Sequence, residues 1–220
     1  MIQLIFLLCL NCQLAFGQKK AWLPAKHYQS INTPCKEPTK RIGIRLFVAQ
    51  KEQQLAQSPT WLQDQIQRSN QAFQAFKICF FIHSAEVLPV EFWHIASRAQ
   101  RTKLGKDRLQ RGYIHVFLVG QLDDVDKAGE QIRGVHWRHP KNRQKKRWII
   151  LSQIAPNIVL AHELGHFFGL PHSREAASIM NKRSRTIPMS KRIFTDRESV
   201  TIRRSWKKMS GSEFLRIHKQ

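Results

Sequence analysis

The chain has 220 residues, 42% apolar and 24% charged, with 37 Lys and Arg against 15 Asp and Glu, for a formal net charge of +22. This length suits one domain or two small ones, and the balance of apolar and charged residues is that of a globular chain with enough apolar residues for a real core. A charge of that size bears on partners and solubility rather than on fold.

The chain opens MIQLIFLLCLNCQLAFG. Ile2 to Leu10 is an apolar run of the length found in export signals, and Ala15 and Gly17 are small residues at the spacing that precedes cleavage. The reading is a signal peptide over 1–17, a mature chain from Gln18, and a secreted, periplasmic or otherwise extracellular location. The segment before the apolar run carries no Lys or Arg, and the run is too short to span a bilayer. No transmembrane segment is expected after cleavage. Cys9 and Cys12 leave with the signal, so Cys35 and Cys79 remain. Two cysteines in an exported chain most simply form one disulfide. Two free thiols, or Cys35 covering a metal site as a thiolate, are the alternatives.

Residues 18–40 hold Pro24, Pro34 and Pro38 without periodicity and read as an extended arm. RIGIRLFVA (41–49) alternates Ile42, Ile44, Leu46 and Val48 with other residues, the pattern of a strand with one buried face. Ser58 followed by Pro59 starts a helix, with Trp61, Leu62, Ile66, Ala72, Phe73 and Phe76 available for its apolar face. ICFFI (78–82) is a second strand and 84–111 is unassigned. YIHVFLV (113–119) is a mostly apolar, central strand. A loop follows, then GVHWRHP (134–140) as an edge strand ended by Pro140, then RWIILS (147–152) as a further strand. Helices are expected over 154–168 and 195–208. With no repeat or linker, 41–220 is read as one domain.

The informative stretch is AHELGHFFGLPHS (161–173). His162 and His166 are four residues apart, about 40° around a helix, so both imidazoles can address one point. A hydrolytic zinc takes three protein ligands in tetrahedral geometry and keeps one position open. His172 can be the third only if the helix breaks. Gly169 can adopt the left-handed conformation that ends a helix, and Pro171 forbids its continuation. Glu163, about 100° from His162 around the axis, flanks the metal without ligating it and suits a general base that later returns its proton to a leaving amine. Zinc brings the pKa of its water to about 7 and polarises the scissile carbonyl. One zinc ion is therefore the expected cofactor.

These residues resemble the metzincin metallopeptidases, whose signature is H-E-x-x-H-x-x-G-x-x-H followed by a methionine turn. Ser178, Ile179 and Met180 fit the turn. Its short distance from His172, and Ser173 after the third histidine, look most like the matrixin branch. The resemblance implies an α+β zincin domain: a twisted, mixed five-stranded sheet with an antiparallel edge strand, an active-site helix, the methionine turn and a C-terminal helix. It implies that Met180 forms a floor beneath the zinc. It also implies that Gly134, Val135, His136 and Trp137 line the cleft and pair with an extended peptide substrate. The chain departs from the branch in several places. It has no cysteine-switch sequence. Asn181 and Lys182 stand where tyrosine and proline often follow the methionine. Calcium loops and a second zinc site are not evident, since no aspartate joins His115, His136 and His139 at a matching spacing.

Basic residues cluster in KNRQKKR (141–147), NKRSRTIPMSKR (181–192) and RRSWKK (203–208). They read either as a solvated surface or as attraction to anionic polymers, membranes or acidic peptides. No motif specific for nucleic acid is visible. The reading is an exported, monomeric zinc endopeptidase. Its rival is a basic secreted protein that grips anionic polymers on a peptidase scaffold with little or no hydrolysis.

Overall fold

The computed structural model describes residues 31–32, 34–35, 40–139, 146–182 and 186–218. The expected signal peptide, most of the arm and most of the basic stretch 141–147 lie outside the described residues.

The first strand, β1, runs Lys40–Lys51 and returns on itself through the short β2, Gln54–Leu55. Helix α1, Pro59–Phe73, starts where Ser58 Oγ accepts the Trp61 N–H, and buries Leu62, Gln65, Ile66 and Phe73. Strand β3 extends from Ile78 to Leu88, well past the apolar pentapeptide that marks it in sequence. The unassigned region resolves into β4, His94–Ile95, and helix α2, Arg98–Leu104, capped by Ser97. Strand β5, Ile114–Val119, is buried at all six positions, as its unbroken apolar run requires. The stretch expected to be all loop contains β6, Gln121–Leu122, which pairs with β4. Strands β7, Gly134–Arg138, and β8, Arg147–Ser152, precede helix α3, Val159–Phe167. Helix α4, Asp196–Gly211, closes the fold, and its Thr195 and Glu198 form a reciprocal capping box.

The main sheet has the order β3-β1-β5-β8-β7, with β2 hairpinned onto the end of β1. β3, β1, β5 and β8 are parallel, and β7 alone among these five is antiparallel. The expected mixed sheet with an antiparallel edge is therefore the one observed. Helices α1 and α3 pack together beside it, around Phe73, Phe80 and Phe168. Among the described residues no helix is long and apolar enough to cross a membrane.

Cys35 and Cys79 are joined by a disulfide with a 1.99 Å S–S bond, fastening the end of the arm to the start of β3. The outer edge of β3 is covered by side chains that imitate a strand. The Phe80 N–H donates to Asn70 Oδ1 at 2.7 Å and the Ile82 N–H to Asn32 Oδ1 at 2.7 Å, and each amide group donates back to the carbonyl of the same residue.

The active-site helix starts later than its apolar pattern suggests. Pro156 sits in a turn, and the Val159 N–H donates to its carbonyl. The residue before the helix, Ile158, has no side chain able to cap it. Gln65 of α1 does this instead. Its Oε1 accepts the Leu160 N–H at 2.9 Å, and its Nε2 donates to the Pro156 carbonyl at 2.8 Å.

Candidate metal centre

α3 carries His162 and His166 on one face. At its end the Leu170 N–H donates to Gly165 O and the Gly169 N–H to His166 O, both at 3.0 Å. That bond pair needs a left-handed residue between, and Gly169 supplies it at φ +94°. The chain then reverses through Pro171 and returns His172 to the helix.

The ligand nitrogens of His162, His166 and His172 all lie within 4.8 Å of one another. His166 Nε2 and His172 Nε2 are 3.2 Å apart. Ligands held roughly 2.05 Å from a tetrahedral zinc are about 3.3 Å from each other, so this pair already has the right separation. The tautomers also fit. His162 Nδ1 is 2.8 Å from the Ile179 carbonyl and His166 Nδ1 is 2.7 Å from the Leu170 carbonyl. A carbonyl only accepts, so each Nδ1 carries the proton and each Nε2 keeps its lone pair for a metal. Burial pushes His162 and His172 down to about 4, helped by neighbouring histidines and Lys182, and lowers His166 as well. All three imidazoles are neutral near pH 7, the form that binds a metal. The donor set fits one zinc ion.

Met180 is fully buried against α3 at Gly165. Its turn is held from the C-terminal helix. The Met180 N–H donates to Ser178 Oγ at 2.9 Å, and the Ser178 hydroxyl donates to Glu198 Oε1 at 2.6 Å. Glu198 Oε2 accepts the Thr195 N–H at 2.9 Å. The Ile179 carbonyl that orients His162 belongs to the same turn, so α4 positions a candidate ligand through Glu198 and Ser178. Arg192 is not part of a solvated surface. It is buried, and donates to the Asn181 carbonyl at 2.7 Å and the Ile187 carbonyl at 3.1 Å.

Glu163 is buried beside the cluster, and Oε2 has no protein partner. Burial raises its carboxyl to about 8, partly offset by the His136 backbone N–H. Gly134 makes room for it: a Cβ there would sit 3.2 Å from Glu163 Oε1 and closer still to Val159 and Leu151. Gly134, Val135, Val159, His162, Glu163 and His172 line one cleft of about 1100 Å³. The Arg133 carbonyl accepts the Ser152 N–H, so alternation turns the Val135 and Trp137 backbones toward β8 and those of Gly134 and His136 outward into the cleft. β7 ends the sheet, with no described strand on its outer side.

The other candidate residues fall elsewhere. The His136 ring is packed on Phe167, and the Trp137 Nε1–H donates to Thr102 Oγ1. His115 Nε2 accepts the Gln110 N–H at 2.9 Å, so that nitrogen is already engaged. The sulfur of Cys35 is bonded to Cys79, which removes it as a thiolate cover for the metal. Gln65 has no local signal in the sequence. Ser178 belongs to the expected methionine turn, but its bond to Glu198 is not legible there, and Glu198 shows only as a glutamate three residues after Thr195.

The matrixin family profile matches residues 60–202. No curated protein matches by sequence. Among solved structures, the chain is similar to metalloproteinase-II from Bacteroides fragilis, with 15% identity, a TM-score of 0.51, 81% of this chain covered and 60% of that one. The chain thus spans less than two thirds of that protein. It is also similar to archaemetzincin from Methanopyrus kandleri, with 16% identity, a TM-score of 0.51, and 77% and 98% of the two chains covered. At these identities the likeness lies in the fold, the metzincin type of zincin.

Proposed function

The chain belongs to the matrixin family of zinc metallopeptidases, and on that premise we propose that it is an exported endopeptidase with His162, His166 and His172 as ligands of one zinc ion and Glu163 as general base. The observation that carries this reading is the convergence of three neutral imidazoles beside a buried carboxyl at the edge of the sheet.

An extended peptide would add to the outer edge of β7, bonding to the outward groups of Gly134 and to the His136 carbonyl. That places its backbone across the cleft in front of Glu163 and His172. Bound zinc would supply a Lewis acid for the peptide carbonyl and the attacking water, and its charge would favour ionised Glu163. Glu163 takes a proton from the water and delivers it to the amide nitrogen as the C–N bond breaks. Met180 supports the histidines from below, and the turn around it fixes the orientation of His162.

The test uses the mature chain from Gln18 and its Glu163→Ala variant, measured for zinc content and for cleavage of a mixed peptide library. One zinc per chain in both, with cleavage lost by at least ~10³-fold in the variant, is expected. Zinc in both without cleavage in either would favour the rival binding role. A folded chain that takes up no zinc would overturn the proposal.

A further inference from the structure

A second cleft, of about 620 Å³, opens where the C-terminal helix and tail meet the starts of β5 and β8. Its lining includes Arg111, Lys146, Arg147 and Lys208 and no acidic side chain. It shares no lining residue with the cleft at Glu163.

Arg147 is the unusual member. It is half-buried, with its guanidinium over the rings of Phe167 and Phe214 at 5.2 and 5.0 Å. Nη1 donates to the Phe167 carbonyl at 2.9 Å. No carboxylate among the described residues forms an ion pair with it. Burial and nearby Arg138 push its pKa down to about 10, so Arg147 stays charged at neutral pH with two ring faces and one carbonyl beside it but no counter-charge. Taking a cation out of water without a counter-charge is costly, and a bound anion would offset that cost. Arg111 reaches the same cleft and is held by the Ser212 carbonyl at 2.9 Å. The remaining lining is mixed: Leu109, Met209 and Phe214 are apolar, while Gln110, Tyr113 and Ser205 offer hydrogen bonds.

We propose that this cleft is a binding site for a sulfated sugar chain, with Arg111, Arg147 and Lys208 on its sulfates and the apolar surface of Leu109 and Phe214, beside the hydrogen-bonding groups of Gln110 and Tyr113, against its sugar units. The chemistry selects the occupant. Guanidinium forks pair with tetrahedral oxyanions in bidentate fashion. Aromatic and apolar surface beside hydroxyl-compatible donors suits a carbohydrate. A concave site lined in this way suits a single chain better than a flat membrane surface. The proposal does not depend on the metal centre.

The experiment measures binding of a sulfated glycosaminoglycan octasaccharide, its desulfated counterpart and a single-stranded oligodeoxynucleotide of equal charge to the full mature chain. Three variants are compared: Arg111→Ala/Lys208→Ala, Lys208→Glu alone, and the exposed control pair Lys51→Ala/Arg197→Ala. The control removes the same net charge elsewhere. Salt-sensitive binding of the sulfated chain alone is expected, weakened about tenfold or more in the cleft variants and no more than about threefold in the control. Cleavage of a short uncharged peptide should be unchanged in all three. Equal losses in cleft and control variants would show that the +22 field alone is responsible and would overturn the site. So would equal binding of the oligodeoxynucleotide, or no binding of the sulfated chain.

Discussion

A side chain on Gly165 would collide with Met180 Sδ and press on the Phe194 ring. The motif writes this position as free, yet the methionine floor requires glycine there. Gly165→Ala gains helix propensity of about 1 kcal/mol but overpacks a closed contact, which costs about 1–3 kcal/mol. The expected result is lower stability in denaturant unfolding and weaker zinc retention against a chelator, because the displaced turn carries the Ile179 carbonyl that orients His162. The contact itself is isolated by a double-mutant cycle. In a Met180→Ala background, Gly165→Ala should be neutral or stabilising. An equal loss in both backgrounds would mean that the cost does not lie in the methionine. Gly134 follows the same logic against Glu163 and Val159. Both glycines are silent in sequence because what excludes a side chain is a residue far along the chain. Gly169 was legible because its role is local: it ends a helix with a positive φ.

At the scale of elements, the sequence showed what periodicity and caps can show. β1, β5, β8 and the edge strand β7 stand within a few residues of their apolar patterns, and Ser58 and Thr195 cap the helices they precede. α3 starts later than its apolar pattern predicts because its cap comes from another helix. The Leu160 N–H depends on Gln65, which is fully buried in the face of α1 and also donates to the Pro156 carbonyl. A glutamine among Leu62, Ile66 and Phe73 reads as an interruption of an apolar face, and its partners lie about 90 residues away. Gln65→Leu keeps the volume and removes both bonds, leaving the Leu160 N–H unpaired while the Pro156 carbonyl keeps the Val159 N–H. That should cost about 1–3 kcal/mol in unfolding experiments. Gln65→Glu keeps the acceptor for Leu160 while losing the donor to Pro156, so it separates the two halves. If the helix start depends on this cap, the Leu variant also loses zinc affinity, since His162 lies two residues after Leu160. Unchanged stability in Gln65→Leu would show that the α1–α3 contact needs no polar tie.

For the whole molecule, the charge is where sequence said most about behaviour and least about structure. The basic clusters divide into Arg192, buried as a loop brace, Arg147, half-buried in a cleft, and exposed cations along α4. The same +22 charge shapes the response to acid. His115 lies in the central strand, 3% exposed, and burial together with Arg45 pushes its pKa down to about 3. Its Nε2 accepts an N–H from Gln110, so a proton there would face another donor. Such a group is neutral in the folded chain and titrates near 6.5 when unfolded. Between those values the unfolded state binds the extra proton, so its contribution to stability is complete above about pH 6.5 and falls away as pH drops toward 3. Each such group adds a slope of up to about 1.4 kcal/mol per pH unit. His136, His83 and His218 are lowered in the same direction, chiefly by burial. Unfolding free energy should therefore decline steeply below pH 6, and every proton taken up adds to an already large self-repulsion. His115→Gln keeps an acceptor for Gln110 and removes the titrating group. Compared with the parent under identical conditions, its stability should fall less steeply between pH 4 and about 6, by up to the slope of one proton. Parallel curves for the two proteins would mean that His115 is charged within the fold, against its burial beside Arg45.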